Sequence, residues 1–475
     1  MKDVIIIGGG VIGTSIAREL SKYELDTILI EKGDDLASGI SKANSGIVHS
    51  GYNETVGTLK GKLNVIGNKM FDELSKDLDF PFKRNGALIL AFNDDEMRKL
   101  RELKENGQSL GIEGLEILNK EEALSLEENI SNKIVGALYA KTSGIVSPYE
   151  MTVALGENAN VNGVEFKFEA EVKNIEKVED SYKVVLDNGE VIEGKIIINA
   201  AGINGDYINN MINDYQYKIR EVKGEYILFD KVAGKLINKT LFQVPSEISK
   251  GVLVTPTVDG NLLIGPNAHK ISSKEDFKTT KEGLGEIIDS AKKTAPQLPL
   301  KRVITTFVGV RPKLKDDFVI EEVKNSKNFI NVIGIDSPGL TAAPAIGVYV
   351  KELIEKNNKL VLKDNFIKER KGIIKFDKLG LKEKNELIKV NPNYGKIVCK
   401  CELITEGEII DAINRPLGAK SVDGVKRRTR ATMGGCQGVG CLIPISKIIA
   451  RELNIDLSEV MKNKKGSNAV GYKEV

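Results

Sequence analysis

The chain opens on an apolar run, Val4 to Ile7, with no polar residue interrupting it. Such a run fits a parallel strand buried on both faces. Ile12, Ile16 and Leu20 then recur at helical spacing, and Thr27 to Ile30 returns to a strand that ends at Glu31. Residues 145–160 read as a turn and a helix. Residues 164–202 alternate as antiparallel strands do, with Asn188-Gly189 as a hairpin turn and a last apolar strand at Ile196 to Ile198. Residues 328–354 give a strand, a Gly/Pro turn and a helix. From 356 to 392 the periodicity fades into Lys, Asp, Glu and Asn, which predicts a partly ordered connector with solvated charges. Residues 462–475 are polar and predict a frayed end. The alternation of strand and helix patterns places the chain among mixed α/β proteins.

Composition narrows the class. The chain has 475 residues, 41% of them hydrophobic and 29% charged, which fits a soluble protein of several domains. The net charge of +2 gives no whole-molecule field for nucleic acid. No run reaches the roughly 18–20 apolar residues of a membrane span, and the N-terminal apolar run stops at glycine, too short for a secretory signal. A cytoplasmic protein is expected, with membrane association only through a partner.

The first turn carries chemistry. Gly8, Gly10 and Gly13 form G-x-G-x-x-G between a strand and a helix, and Glu31 lies eighteen residues after Gly13. The first glycine permits the tight turn, the second admits a pyrophosphate and the third lets helix and strand pack, while an acid at the end of the second strand suits a ribose hydroxyl. Dinucleotide binding is predicted; the motif alone does not separate FAD from NAD. Ala200, Ala201 and Gly202 follow a buried strand and permit a second close approach to a ligand.

The four cysteines, Cys399, Cys401, Cys436 and Cys441, lie in the last fifth of the chain as C-x-C and C-x4-C. In a reduced compartment such clustering points to a metal centre. Four thiolates suit a [2Fe–2S] cluster or a zinc ion, and the short C-x-C spacing is unusual for structural zinc.

The run Gly8–Gly13, Glu31, the loop 39–52, NAAG (199–202), VGVRPK (308–313) and GIDSPGLTAAPAIG (334–347) resembles the D-amino-acid-oxidase-like family of FAD-dependent oxidoreductases over about residues 1–360. Within it, NSGIVHSGY (44–52) is similar to the glycerol-3-phosphate dehydrogenase and L-2-hydroxyglutarate oxidase branches. The cysteine segment resembles the bacterioferritin-associated-ferredoxin-like domain. The combination is similar to the FAD subunits of anaerobic glycerol-3-phosphate dehydrogenases.

The resemblance implies a Rossmann-like FAD-binding domain (1–79, 145–215, 301–360) with an antiparallel-sheet substrate domain inserted in two pieces (80–144, 216–300). The connector (361–392), a small helical [2Fe–2S] domain (393–455) and a tail (456–475) follow. It implies FAD contacts from Gly8, Gly10, Val11, Ile12, Gly13, Glu31, Lys32, Ser41, Asn44, Ser45, Gly46, Ile47, Val172, Ala200, Ala201, Gly202, Gly309, Gly339, Leu340 and Thr341, and cluster ligation by Cys399, Cys401, Cys436 and Cys441. The activity implied is oxidation of a small anionic hydroxylated substrate, sn-glycerol 3-phosphate first. A 2-hydroxy acid such as L-2-hydroxyglutarate, an amino or imino acid, or a purely electron-transferring role are the alternatives. Electrons are expected to leave through the cluster to a protein or partner subunit.

Arg311 is the expected anchor for the substrate anion, since a guanidinium binds carboxylate or phosphate in two-pronged fashion; an exposed pair with Asp316 or Asp317 is the alternative. Lys223 and Tyr226 are secondary substrate candidates, or strand-surface residues. His49, one of two histidines, titrates near neutrality and is the candidate base. A flavin contact, a covalent flavin link and a structural loop role compete with that reading. His269 reads as a surface histidine near the pocket rim. Lys426, Arg427, Arg428 and Arg430 suit an acidic electron-transfer partner, solvent, or cluster-loop carbonyls.

Overall fold

The computed structural model describes residues 1–245 and 251–470. Lys2–Ile7 lies at the centre of the first sheet, parallel to Thr27–Ile30 on one side and to Val191–Asn199 on the other. Val4, Ile5 and Ile6 are wholly buried, as an uninterrupted apolar run requires. Helices Val11–Leu20 and Gly339–Glu355 cover one face, with Ile16, Leu20, Ile346 and Val350 in its core. Each such side chain removed from water contributes about 1.5–3 kcal/mol.

Residues 164–202 differ from the uniform antiparallel pattern expected. Glu165–Lys167 pairs parallel with Thr27–Ile30, so it extends the dinucleotide sheet. Val172–Val178, Ser181–Leu186 and Val191–Asn199 then run antiparallel. Val191–Asn199 pairs with the Ser181–Leu186 hairpin along its first half and with Phe329–Ile333 along its second. Pattern shows which residues are buried in a short strand, and tertiary neighbours decide its direction.

The second sheet joins the two inserted pieces through parallel pairing of Ala87–Ala91 with Thr240–Gln243. Its long ribbon is Arg220–Phe229 against Val303–Lys313, antiparallel from Arg220↔Lys313 to Phe229↔Val303. The Val303–Lys313 strand therefore belongs to this sheet, although the domain division by resemblance gives 301–313 to the FAD domain.

Two further boundaries shift. The segment 361–378 is a strap on the FAD domain: Leu362 bridges Tyr23, Arg370 pairs with Glu157, and Gly372 N–H donates to Asp79. Helix Leu381–Val390 follows it. Of the end expected to fray, residues 462–470 are hydrogen-bonded onto the C-terminal domain, and 471–475 lie outside the described residues. Val460 is wholly buried in the C-terminal core, and the N–H groups of Val422 and Asp423 donate to the Met461 and Lys462 carbonyls. Among the described residues, no helix is long and apolar enough to cross a membrane.

Candidate functional site

A single cavity of about 1970 Å³ runs between the dinucleotide sheet and the ribbon. Drug-sized ligands occupy roughly 300–1,000 Å³, so this space suits a dinucleotide plus a small substrate. At one end lie Gly8, Gly10, Val11, Ile12, Glu31 and Lys32, and further along lie Ala200, Ala201, Gly202 and Val172. At the other end lie His49, Tyr226, Gly309, Arg311, Gly339 and Leu340.

The glycine turn is built for close approach. Gly8 has φ +116, and a Cβ on Gly13 would run into the Gly8 carbonyl oxygen, so the helix start is pressed onto the strand end. Ser41 Oγ accepts from the Val11 N–H at 2.9 Å, placing a hydroxyl at the helix N-terminus where a phosphate is favoured. The Glu31 carboxylate accepts from the Gly9 N–H (2.6 Å) and the Gly33 N–H (2.7 Å). Burial raises its pKa, against the pull of those two donors. Gly8 and Gly10, the helix start and a half-buried acid beside them fit the adenosine and pyrophosphate of a dinucleotide.

The loop 39–52 is pinned. The His49 N–H donates to Thr341 Oγ1 (2.9 Å), and its carbonyl accepts from Asn64 (3.2 Å) and Asn68 (2.9 Å). The half-buried imidazole lies 5.9 Å from the Phe242 ring and lines the cavity. Thr341 is wholly buried, serves this loop and does not line the cavity, unlike its neighbours Gly339 and Leu340. Asn44 spends its side chain on the loop itself, donating to the Ile40 and Ser41 carbonyls and accepting from the Gly46 N–H. Ser45, Gly46 and Ile47 line the cavity. Gly309 lets the ribbon cross beneath this loop, because a Cβ there would collide with the Ala43 carbonyl.

Arg311 reaches the cavity from the ribbon. Among the described residues its guanidinium makes one hydrogen bond, Nη2 to the Asn267 carbonyl (3.0 Å). The expected alternative partner Asp317 instead accepts from the Leu59 and Lys60 N–H groups. Tyr226 lies on the same face, stacked on Phe307 with ring centroids 4.7 Å apart. Lys223 does not join them. It is buried on the opposite face, with Nζ donating to the Lys278 carbonyl (3.0 Å) and Asp276 (3.3 Å), and it is absent from the cavity lining. His269 is exposed and pairs with Glu286 at 2.7 Å. Lys60 and Asp336, an ion pair at 2.6 Å, also line the cavity; neither has a spacing signal beyond the GIDSPG turn that holds Asp336.

In the C-terminal domain the four thiols are neighbours, Cys401 beside Cys436 and Cys399 beside Cys441, and each pair also feels a thiol of the other. Among the described residues no three ligating groups converge as they do on one ion. Four neighbouring thiols fit a [2Fe–2S] cluster held by Cys399, Cys401, Cys436 and Cys441. Backbone N–H groups of Gly440, then the Cys401 thiol and Gly438, hold the Cys436 thiol below its ordinary pKa. Burial, and then Cys399, push Cys441 up to about 12.

The basic run packs inward instead of facing a partner. Arg428 donates to both Asp35 oxygens (2.6 and 2.9 Å) and Arg427 to one (2.9 Å). Arg430 reaches Asp259 (2.7 Å), Tyr149 (2.9 Å), Asn261 (2.9 Å) and Glu402 (3.0 Å). These contacts dock the cysteine domain on the other two.

Residues 3–353 match the FAD dependent oxidoreductase family, and residues 397–451 match the BFD-like [2Fe-2S] binding domain. The chain is 50% identical to a glycerol 3-phosphate dehydrogenase of Caloramator mitchellensis, over 98% of both chains. It is 36% identical to a glycerol 3-phosphate oxidase of Mycoplasma pneumoniae, covering 77% of this chain and 97% of the relative. The solved structure of the FAD-bound L-alpha-glycerophosphate oxidase of Mycoplasma pneumoniae superimposes with a TM-score of 0.74 at 35% identity, over 78% of this chain and 98% of that one.

Proposed function

Because the chain belongs to the FAD dependent oxidoreductase family and carries a [2Fe–2S] domain, we propose that it oxidises sn-glycerol 3-phosphate to dihydroxyacetone phosphate and delivers the electrons through the cluster to an external acceptor. The observation that carries this reading is the match to a glycerol 3-phosphate dehydrogenase across both domains at once. The oxidase relative is spanned by about three quarters of this chain, which supports the cysteine domain as what separates electron export from direct use of oxygen.

The reaction removes two electrons and two protons from the C2 carbinol. Bound FAD supplies the two-electron acceptor beside that carbon, and the cluster supplies a one-electron relay. On this reading Arg311 holds the phosphate, its two-pronged donors facing the cavity from a strand locked by its ladder. Tyr226, backed by its stack on Phe307, forms an apolar stretch of wall that excludes water. His49 accepts the hydroxyl proton, a role worth roughly 10²–10⁴ in rate for a positioned base. Its pinned backbone supports that role because a fixed Cα limits where the ring can swing. The chain then works in the cytoplasm, passing electrons to a protein or quinone-linked acceptor.

The test is anaerobic bleaching of the flavin by candidate substrates. Glycerol 3-phosphate is expected to bleach it within the turnover time, and L-2-hydroxyglutarate, amino acids and imino acids are not. Bleaching by L-2-hydroxyglutarate with none by glycerol 3-phosphate overturns the reading. Bleaching by no small molecule supports a purely electron-transferring chain.

A further inference from the structure

The cavity wall beside Asp34 and Lys42 is not made by the FAD domain alone. Arg427, Asn463 and Lys464 of the cysteine domain line it, alongside Glu31 to Asp34 and the loop from Gly39 to Ser45. Arg427 and Asn463 each hold a buried polar atom with no partner, Nε of Arg427 and Oδ1 of Asn463. Arg427 as a whole is 4% exposed. A buried guanidinium nitrogen without an acceptor costs about 1–3 kcal/mol or more, so a ligand that satisfies it is favoured. The neighbouring Arg428 also has an unpartnered Nε, and what separates the two is the cavity, which Arg427 lines and Arg428 does not. The amino groups of Arg428 are taken by Asp35 and the carbonyls of Gly424 and Leu417.

The position of these groups selects the ligand part. Arg427 acts on Asp34, three residues on from Glu31, the acid placed for a ribose, and on Lys42, next to Ser41, at the helix N-terminus that favours a phosphate. Arg427 and Lys464 supply positive charge there, Lys42 adds a third cation on the same wall, and Asn463 adds an amide.

We infer that Arg427, Asn463 and Lys464 bind the adenosine-diphosphate half of FAD, so that the cysteine domain completes the flavin site as well as carrying the cluster. FAD binding and docking of the cysteine domain are then linked: whatever loosens the domain weakens the cofactor, and bound FAD holds the domain in place. The inference rests on FAD binding and is independent of which substrate is oxidised.

The experiment uses full-length protein stripped of FAD with its iron retained, and reads the FAD dissociation constant by flavin fluorescence. Arg427→Gln is expected to weaken FAD about tenfold, the loss of one charge-assisted hydrogen bond, with two irons per chain preserved. Asn463→Ala combined with Lys464→Ala is expected to weaken it about threefold or more and to flatten its salt dependence. ADP alone, as a probe of this half of the cofactor, is expected to raise the melting temperature of the parent and to raise that of Arg427→Gln less. A dissociation constant within about twofold of the parent for Arg427→Gln, iron retained, overturns the inference. Should Arg427→Gln lose its iron, the double variant decides alone by the same twofold criterion, because its residues take no part in the Asp35 pair.

Discussion

The two faces of one β-ribbon give opposite environments to the cations they carry. Val222 and Arg311 are directly paired, and so are Tyr226 and Phe307; of these, Val222, Tyr226 and Arg311 line the crevice. Lys223 and Glu225, at the alternate positions, face the helix Lys281–Thr294. There Lys223 lies among Asp276, Glu225 and the Lys278 carbonyl, and Glu225 accepts from the Thr280 N–H and hydroxyl. Lys223 on the rear face and Arg428 and Arg430 at the docking seam are engaged by carboxylates, whereas among the described residues Arg311 has one carbonyl. A cation already neutralised by the fold holds the fold together, and one with donors to spare is equipped for a ligand.

Removing the spare donors has the largest expected effect. Arg311→Ala is predicted to lower kcat/KM by about 10²–10³, as loss of a desolvated charge pair to the substrate does, with FAD content and melting temperature close to the parent. Steady-state kinetics beside the flavin spectrum checks this, and an unchanged kcat/KM would break the contrast between the two faces. His49→Asn is predicted to lower kcat by about 10², with KM little changed, read by steady-state kinetics.

Opening the seam moves stability instead of substrate affinity. Arg430→Met leaves Asp259 buried without its cation, a cost of about 3–5 kcal/mol in denaturant unfolding, while the KM of the surviving folded enzyme stays near the parent's. The seam also has a pH signature. Burial raises the Asp35 pKa, but the Arg428 and Arg427 charges outweigh it and hold the carboxyl below its ordinary 3.8. Ionised Asp35 therefore contributes stability that is complete above that ordinary value and is lost as pH falls through the depressed one. Thermal melts taken downward from about pH 6 are predicted to show this loss in the parent and not in Asp35→Asn. Lys223→Met has the smallest expected effect on turnover, with KM within about twofold and a stability loss of roughly 1–3 kcal/mol from stranding Glu225. A tenfold rise in KM would move Lys223 back to the substrate side.

Much of the dinucleotide crevice was legible in the sequence because its determinants are local. Gly8, Gly10, Gly13 and Glu31 act through turn geometry and strand ends, which neighbours in the chain specify. Loop residues were less legible. Ser41 and Asn44 are both small and polar, yet Ser41 meets the helix N-terminus and Asn44 closes its own loop, a difference set by which way each points once the loop is pinned. Thr341 serves His49 across 292 positions, a separation no spacing rule spans. The basic run 426–430 gave charge without direction, and the carboxylates that claim it, Asp35 and Asp259, lie far away in sequence.

The sequence by itself determined the glycine turn, the paired cysteines and the apolar runs that build each sheet, since these depend on residue type and short spacing. Only the tertiary structure decided that Arg311 and His49 share a cavity while Lys223 is turned away, because the register of two strands from distant parts of the chain sets which residues share a face. It alone brought Arg427 and Asn463 to the cavity wall. That placement follows from the docking of one domain on another, where buried guanidinium groups are stable only against carboxylates supplied from elsewhere in the fold.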